Sequence, residues 1–281
     1  MKSDVLALSA IVMWGSLAAL GVSLPHVPPF LLTGLGLLSG SVIALPLSRG
    51  RLAAWRVSWS TLALGVYGLF GFHFLLFMAL RSAPAVEANL INYLWPLGMV
   101  VLAPLVLPGT RLTRTHIAAA LLGFAGAAVA ILGRQPPGAS AWSGEFHGGY
   151  VYALGSALIW STYSLGTRRV APFSTTAVGT FALVSGLLSL GFHVALEPST
   201  ALSTRDLALI ALLGLGPLGG SFFLWDAALK TGDPRRIGLL AFFTPLLSTV
   251  VMLGVTGQPF SLHIALAAAM IMGAAAWGRR A

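Results

Sequence analysis

Cysteine is absent from the 281 residues, which excludes disulfides, thiolate metal sites and cysteine nucleophiles. Charge is scarce as well: Asp, Glu, Lys and Arg make up 8% of the chain, against about 25% in a soluble domain. That is too little polar surface to coat a water-soluble globule, so a soluble two-domain enzyme is excluded. Acidic residues number only seven, and no His-Glu-x-x-His zinc motif occurs, which leaves an intramembrane enzyme without its chemistry. No metal and no cofactor are expected. The glycines and prolines are scattered among apolar runs rather than concentrated in tracts, which excludes collagen-like and disordered chains. What is present is 57% hydrophobic residues and a mean hydropathy of +0.89, the composition of a helical protein embedded in a lipid bilayer.

A spanning helix needs about 20 mostly apolar residues, and ten segments between charged or Pro/Gly-rich breaks supply them: 4–22, 29–47, 60–81, 84–107, 115–133, 148–168, 174–196, 205–229, 234–256 and 261–278. The formal charge of +9 would suggest nucleic acid on a soluble domain. Here the basic residues sit in the short connections, so no nucleic-acid partner is expected. Thirteen Lys and Arg fall on the side of the N-terminus, from Lys2 through Arg49, Arg51, Arg56, Arg111, Arg114, Arg168, Arg169, Lys230, Arg235 and Arg236 to Arg279 and Arg280. The other side holds only Arg81, Arg134 and Arg205, together with Glu87, Glu145, Glu197 and Asp206. The positive-inside rule then predicts both termini in the cytoplasm.

The chain also resembles itself. A gap-free shift of 149 residues aligns the third and fourth segments with the eighth and ninth, through Gly71/Gly220, Phe74/Phe223, Ala79/Ala228 and Pro96/Pro245 among others. Nearby shifts pair His116 with His263 and Trp14 with Trp160. Five segments per half is an odd number, so the second copy enters the bilayer from the opposite face, as in many secondary transporters. The expected units are residues 1–138, a linker at 139–145 and residues 146–281. Met1-Lys2 and the apolar run after it look like a signal peptide, but the repeat gives that run a partner and predicts that it is retained.

Ten helices in two inverted repeats, Trp14-Gly15-Ser16 in the first segment, Trp160-Ser161-Thr162-Tyr163 in the sixth, and a proline in the fourth and ninth resemble the EamA-type drug/metabolite transporters over essentially the whole chain. Asn92-Tyr93-Leu94-Trp95-Pro96 is most similar to the bacterial aromatic amino acid exporters of that group. The resemblance implies a multi-pass inner-membrane exporter of amino acids and similar small metabolites. Its central cavity would be lined by the first, third, fourth, sixth, eighth and ninth spans. Related small multidrug pumps couple protons through a carboxylate in the middle of their first helix; here the first segment has none after Asp4.

The residues themselves point to the same centre. Trp14, Trp95 and Trp160 lie about ten residues from a span end, near mid-membrane by the roughly 1.5 Å rise per residue, whereas tryptophan normally sits in the interfacial belts. Plain helix packing is one reading; a stacking wall for a flat or apolar substrate is the other. At about 100° per residue, Asn89, Asn92, Tyr93, Trp95 and Pro96 share one arc of about 160°. Two amides, a phenol and an indole there need helix partners or a wet cavity. Pro96 and Pro245 predict paired kinks, plausible hinges. Ser156, Trp160, Tyr163, Ser164 and Thr167 form a polar and aromatic stripe on the sixth segment. On the eighth, Phe222 and Trp225 share a face with Asp226, which is spaced for an i,i+4 ion pair with Lys230 in a structural or gating role. His73 is the titratable side chain nearest the centre, a candidate for binding a carboxylate or sensing protons. The expected partners are a small-molecule substrate and the lipid bilayer, with a monomer as the working unit. A different cargo, such as a drug, nucleoside or sugar derivative, and a channel remain as alternatives.

Overall fold

The computed structural model describes residues 2–21, 23–133, 145–257 and 261–278. Most of the 139–145 linker, with Arg134, Trp142, Arg279 and Arg280, lies outside the described residues. The described residues are helical, with no strand. In the first half these are α1 (Lys2–Gly21), α2 (Pro29–Ser41), α3 (Ala44–Leu47), α4 (Trp59–Val66), α5 (Phe72–Ser82), α6 (Ala85–Asn92), α7 (Trp95–Val106) and α8 (Arg114–Leu132). In the second they are α9 (Gly149–Gly166), α10 (Val178–Leu196), α11 (Thr204–Leu215), α12 (Gly220–Thr231), α13 (Pro234–Ala241), α14 (Phe243–Thr256) and α15 (Leu262–Gly278).

The helix starts are written in the sequence. Thr113 with His116, and Ser203 with Asp206, form capping boxes at α8 and α11. Ser58 and Asp233 cap α4 and α13 through their side-chain oxygens. Pro29 and Pro234 occupy first-turn positions, where a missing N–H costs nothing. Eight helical stretches are long and apolar enough to cross a membrane, and α15 is a shorter apolar helix. The tyrosines, serines and threonine of the 18-residue α9 make it less apolar. Leu105 and Val194 are more than 80% exposed on the outer surface, while His73, Asn92, Ser156, Ser164 and Asp226 are buried. That distribution suits a lipid exterior and a polar centre.

Besides the two-residue turn between α2 and α3, four of the stretches depart from regular α-helix. Helix α6 ends at Asn92 and α7 begins at Trp95, with Pro96 in its first turn. Helix α13 ends at Ala241 and α14 begins at Phe243, with Pro245 in its first turn. Each proline lacks the N–H that the carbonyl four residues back would accept, so the break falls just ahead of it. The third and eighth segments depart from regular α-helix too. A π-turn at Tyr67–Gly71 separates α4 from α5, and the 149-residue shift carries Tyr67 onto Gly216, where α11 gives way to Gly216-Pro217-Leu218-Gly219. Pro217 cannot donate to Leu213, whose carbonyl takes the Leu218 N–H at 2.8 Å instead. Gly68 sits under the Tyr163 ring, where a side chain would collide.

Helices of one half pack against those of the other. Helix α2 lies along α10, α8 along α15, α5 and α7 along α9, and α12 and α14 along α1. Helix α2 also meets α11 through glycine: a Cβ on Gly40 would come within 2.6 Å of Gly219 Cα and 2.7 Å of the Gly214 carbonyl oxygen. Because both obstacles are backbone, Gly40→Ala is expected to cost about 1–3 kcal/mol, measured as a lower melting temperature in detergent. A Cβ on Gly36 would meet the Leu218 side chain at 2.8 Å, so both glycines serve internal packing.

Candidate functional site: an aromatic-walled central cavity

The broken helices surround a cavity of about 270 Å³, close to the lower limit of the roughly 300–1,000 Å³ typical of small-molecule pockets. Its aromatic wall begins with Trp14 on α1. The Trp14 ring lies 5.8 Å from Trp160, 6.2 Å from Trp95 and 6.2 Å from Phe222, centroid to centroid. Trp160 and Phe222 are 5.6 Å apart, and Phe72 is 5.1 Å from Trp160. These are mostly edge-on or tilted contacts, the geometry favoured by ring quadrupoles. They hold the indoles as a rigid surface.

The α6–α7 break delivers the polar part. Asn89, Asn92 and Tyr93 line the cavity beside Trp95. Ser156 donates to Asn92 Oδ1 at 2.8 Å, fixing an amide that is only 5% exposed. His73 also lines the cavity, with Nδ1 2.6 Å from the Leu69 carbonyl oxygen across the end of the π-turn. Its ring stands edge-on to Phe222 at 6.2 Å. Among the described residues, no Asp, Glu, Lys or Arg lines the cavity. Its lining on α1 runs from Trp14 to Gly21, and on α5 from Phe72 to Phe77, so it lies toward the C-terminal end of α1.

Tyr163 and Trp225, singled out from the sequence, stand one layer behind this wall. Tyr163 packs on Trp160 at 5.3 Å, and Trp225 packs on Trp14 at 5.0 Å while its Nε1 donates to Ser164 Oγ at 3.1 Å. Pro96 and Pro245 sit at the helix breaks, outside the lining. Asp226 and Lys230 form the i,i+4 pair at 2.6 Å on the N-terminal side of the indoles. Thr175 Oγ1 donates to the same Asp226 oxygen at 2.6 Å, and Lys230 Nζ lies 3.8 Å from the centre of the Phe173 ring. Nearby, Arg236 pairs with Asp4. Burial would raise the Asp233 carboxyl, but hydrogen bonds from the Arg235 side chain and backbone N–H, with its charge, hold it below the usual range.

Glu197 was indistinguishable from a loop acid in the sequence. In the structure its side chain is fully buried. It accepts the backbone N–H groups of Phe30 and Leu31 at 2.9 and 3.1 Å, at the start of α2. Arg81 and His193 each approach it at 3.0 Å. An acid at a helix N-terminus is stabilised by the free amides there. The one available signal was that α2 starts on proline without a side-chain cap of its own.

An apolar exterior, interrupted spanning helices and an uncharged central cavity define an integral membrane transporter. The sequence profile of the EamA-like transporter family matches residues 1–132 and again 147–277, and the chain belongs to that family. It is therefore a transporter and not an enzyme. It is 41% identical over 279 residues to the aromatic amino acid exporter YddG of Ancylobacter novellus, covering 98% of this chain and 96% of that one. It is 23% identical to the Escherichia coli protein of the same name, over 97% and 94% of the two chains. A solved crystal structure, 37% identical, superposes with a TM-score of 0.89 over 99% of this chain and 97% of the other.

Proposed function

We propose that this chain exports amino acids, aromatic ones foremost, across the bacterial inner membrane by alternating access. The unit is a monomer of ten spans in two inverted five-helix repeats, residues 1–138 and 146–281, with both termini cytoplasmic. The observation that carries this reading is the cavity itself: rigid indole and phenyl faces on one side, neutral amides on the other, and room for a single small molecule. The relative named an aromatic amino acid exporter, similar over nearly the whole chain, supports the cargo. The packing supports the repeats. Exchanging each span for its counterpart turns the α5–α9 and α7–α9 contacts into α12–α1 and α14–α1, and maps α2–α10 and α8–α15 onto themselves.

The helix breaks at Pro96 and Pro245 then act as hinges, and Asp226, Lys230 and Phe173 seal the cytoplasmic side below the indoles. Among the described residues no carboxylate lines the cavity, which supports transport down the substrate gradient. Purified protein in liposomes should take up labelled phenylalanine, tryptophan and threonine saturably, and equally with or without an imposed pH gradient. No uptake of any amino acid would remove the cargo and leave the transporter class standing. Strict dependence on the gradient would shift attention to His73.

A further inference from the structure

The 149-residue shift that superposes the two proline breaks carries Trp95 onto Thr244. Both line the cavity, so the two halves place different chemistry at equivalent points, an indole from one and a hydroxyl from the other. Thr244 is 7% exposed, yet its Oγ1 makes no hydrogen bond with any described residue. Other hydroxyls on these helices return their proton to the preceding turn: Thr249 to the Pro245 carbonyl at 2.8 Å, Ser221 to Pro217 at 2.7 Å and Ser161 to Ala157 at 2.7 Å. Thr244 sits in the first turn after the break at Phe242. A buried hydroxyl without a partner carries a desolvation cost that a ligand can relieve.

Asn92 supplies the second group. With Oδ1 engaged by Ser156, its NH2 remains as a donor. Resting on the amino acid reading above, we propose that Thr244 Oγ1 and Asn92 Nδ2 form a carboxylate subsite. They donate to the anionic end of a zwitterionic substrate while its apolar side chain lies against Trp14, Trp160 and Phe222. Two neutral donors suit a carboxylate that carries its own balancing ammonium, because the cavity offers no fixed charge. Replacing the twofold mate of Trp95 by a hydroxyl also removes the symmetry that would let the substrate bind in either direction.

The test is ligand titration by intrinsic tryptophan fluorescence, with phenylalanine, 2-phenylethylamine and 3-phenylpropionate as probes, on the parent protein, Thr244→Val and Thr244→Ser. Thr244→Val should weaken phenylalanine by about tenfold to a hundredfold, the worth of a hydrogen bond to a charged group. Thr244→Ser should restore it, and 2-phenylethylamine, which has no carboxylate, should bind parent and Thr244→Val alike. The melting temperature of the empty Thr244→Val protein should be no lower than that of the parent, since the substitution removes an unsatisfied hydroxyl. Unchanged phenylalanine affinity, or equal weakening of both amines, would overturn the subsite. If the parent ignores phenylalanine but binds 3-phenylpropionate in a Thr244-dependent way, the amino acid cargo fails and the subsite stands. If neither carboxylate binds, both fail.

Discussion

Replacing Trp160 with alanine should reduce kcat/KM for phenylalanine uptake into liposomes by about thirtyfold to a thousandfold, the range expected when a central aromatic anchor worth roughly 2–4 kcal/mol is removed. The reasoning is geometric. Trp160 is 3% exposed and lies within 6.3 Å of Trp14, Phe72, Trp95, Tyr163 and Phe222. Removing it takes away a stacking face and also lets its neighbours slump into the space. Truncating a buried aromatic costs roughly 3–5 kcal/mol of stability, so Trp160→Phe is the necessary companion. The phenyl ring keeps most of the packing and should keep most of the activity. Wild-type uptake by a well-folded Trp160→Ala protein would mean that the indoles pack helices and do not meet the substrate.

Glu197→Ala should produce the largest loss of stability among single polar substitutions outside the cavity. The carboxylate satisfies two backbone amides at the start of α2 and pairs with Arg81. Its removal strands the two amides inside the protein, and each buried group left unsatisfied typically costs about 1–3 kcal/mol. Arg81 is partly exposed and recovers some hydration, so most of the loss comes from the amides. The expected reading is a fall on the order of 10 °C in melting temperature in detergent. Glu197→Gln, which keeps an oxygen but not the charge, should fall between the two. A Glu197→Ala protein that melts with the parent would show that α2 is held by its packing on α10 alone.

Composition and periodicity carried the fold a long way. The scarcity of charge demanded lipid, and Pro96 and Pro245 announced the breaks in α6–α7 and α13–α14. The break at 216–219 was legible too, since Gly216-Pro217 is a strong interruption signal, but the length of a mostly apolar stretch of 25 residues (205–229) outweighed it. The depth of Trp14, Trp95 and Trp160 pointed to the wall because tryptophan at mid-membrane contradicts its usual preference for the interface. Depth cannot tell a first layer from a second, so Tyr163 and Trp225 read as lining when they stand behind it. Glu197 and Thr244 escaped altogether. What distinguishes each is a partner, or the want of one, in a distant segment, and the uncapped start of α2 is the one trace that Glu197 leaves along the chain.

On the inverted-repeat reading proposed above, the likeness of the halves has a thermodynamic side. The shift that pairs Trp95 with Thr244 also carries Arg81 onto Lys230 and His73 onto Phe222. Arg81 lies 5.7 Å from the centre of the Phe30 ring, whereas Lys230 lies 3.8 Å from that of Phe173. Were the halves identical, the two extreme conformations of an alternating protein would be mirror images in energy and equally populated. Every residue that differs between mates lifts that degeneracy, and about 1.4 kcal/mol is enough to favour one state tenfold. On the alternating-access proposal, the likeness of the repeats supplies the two states, and their differences set where the empty transporter rests.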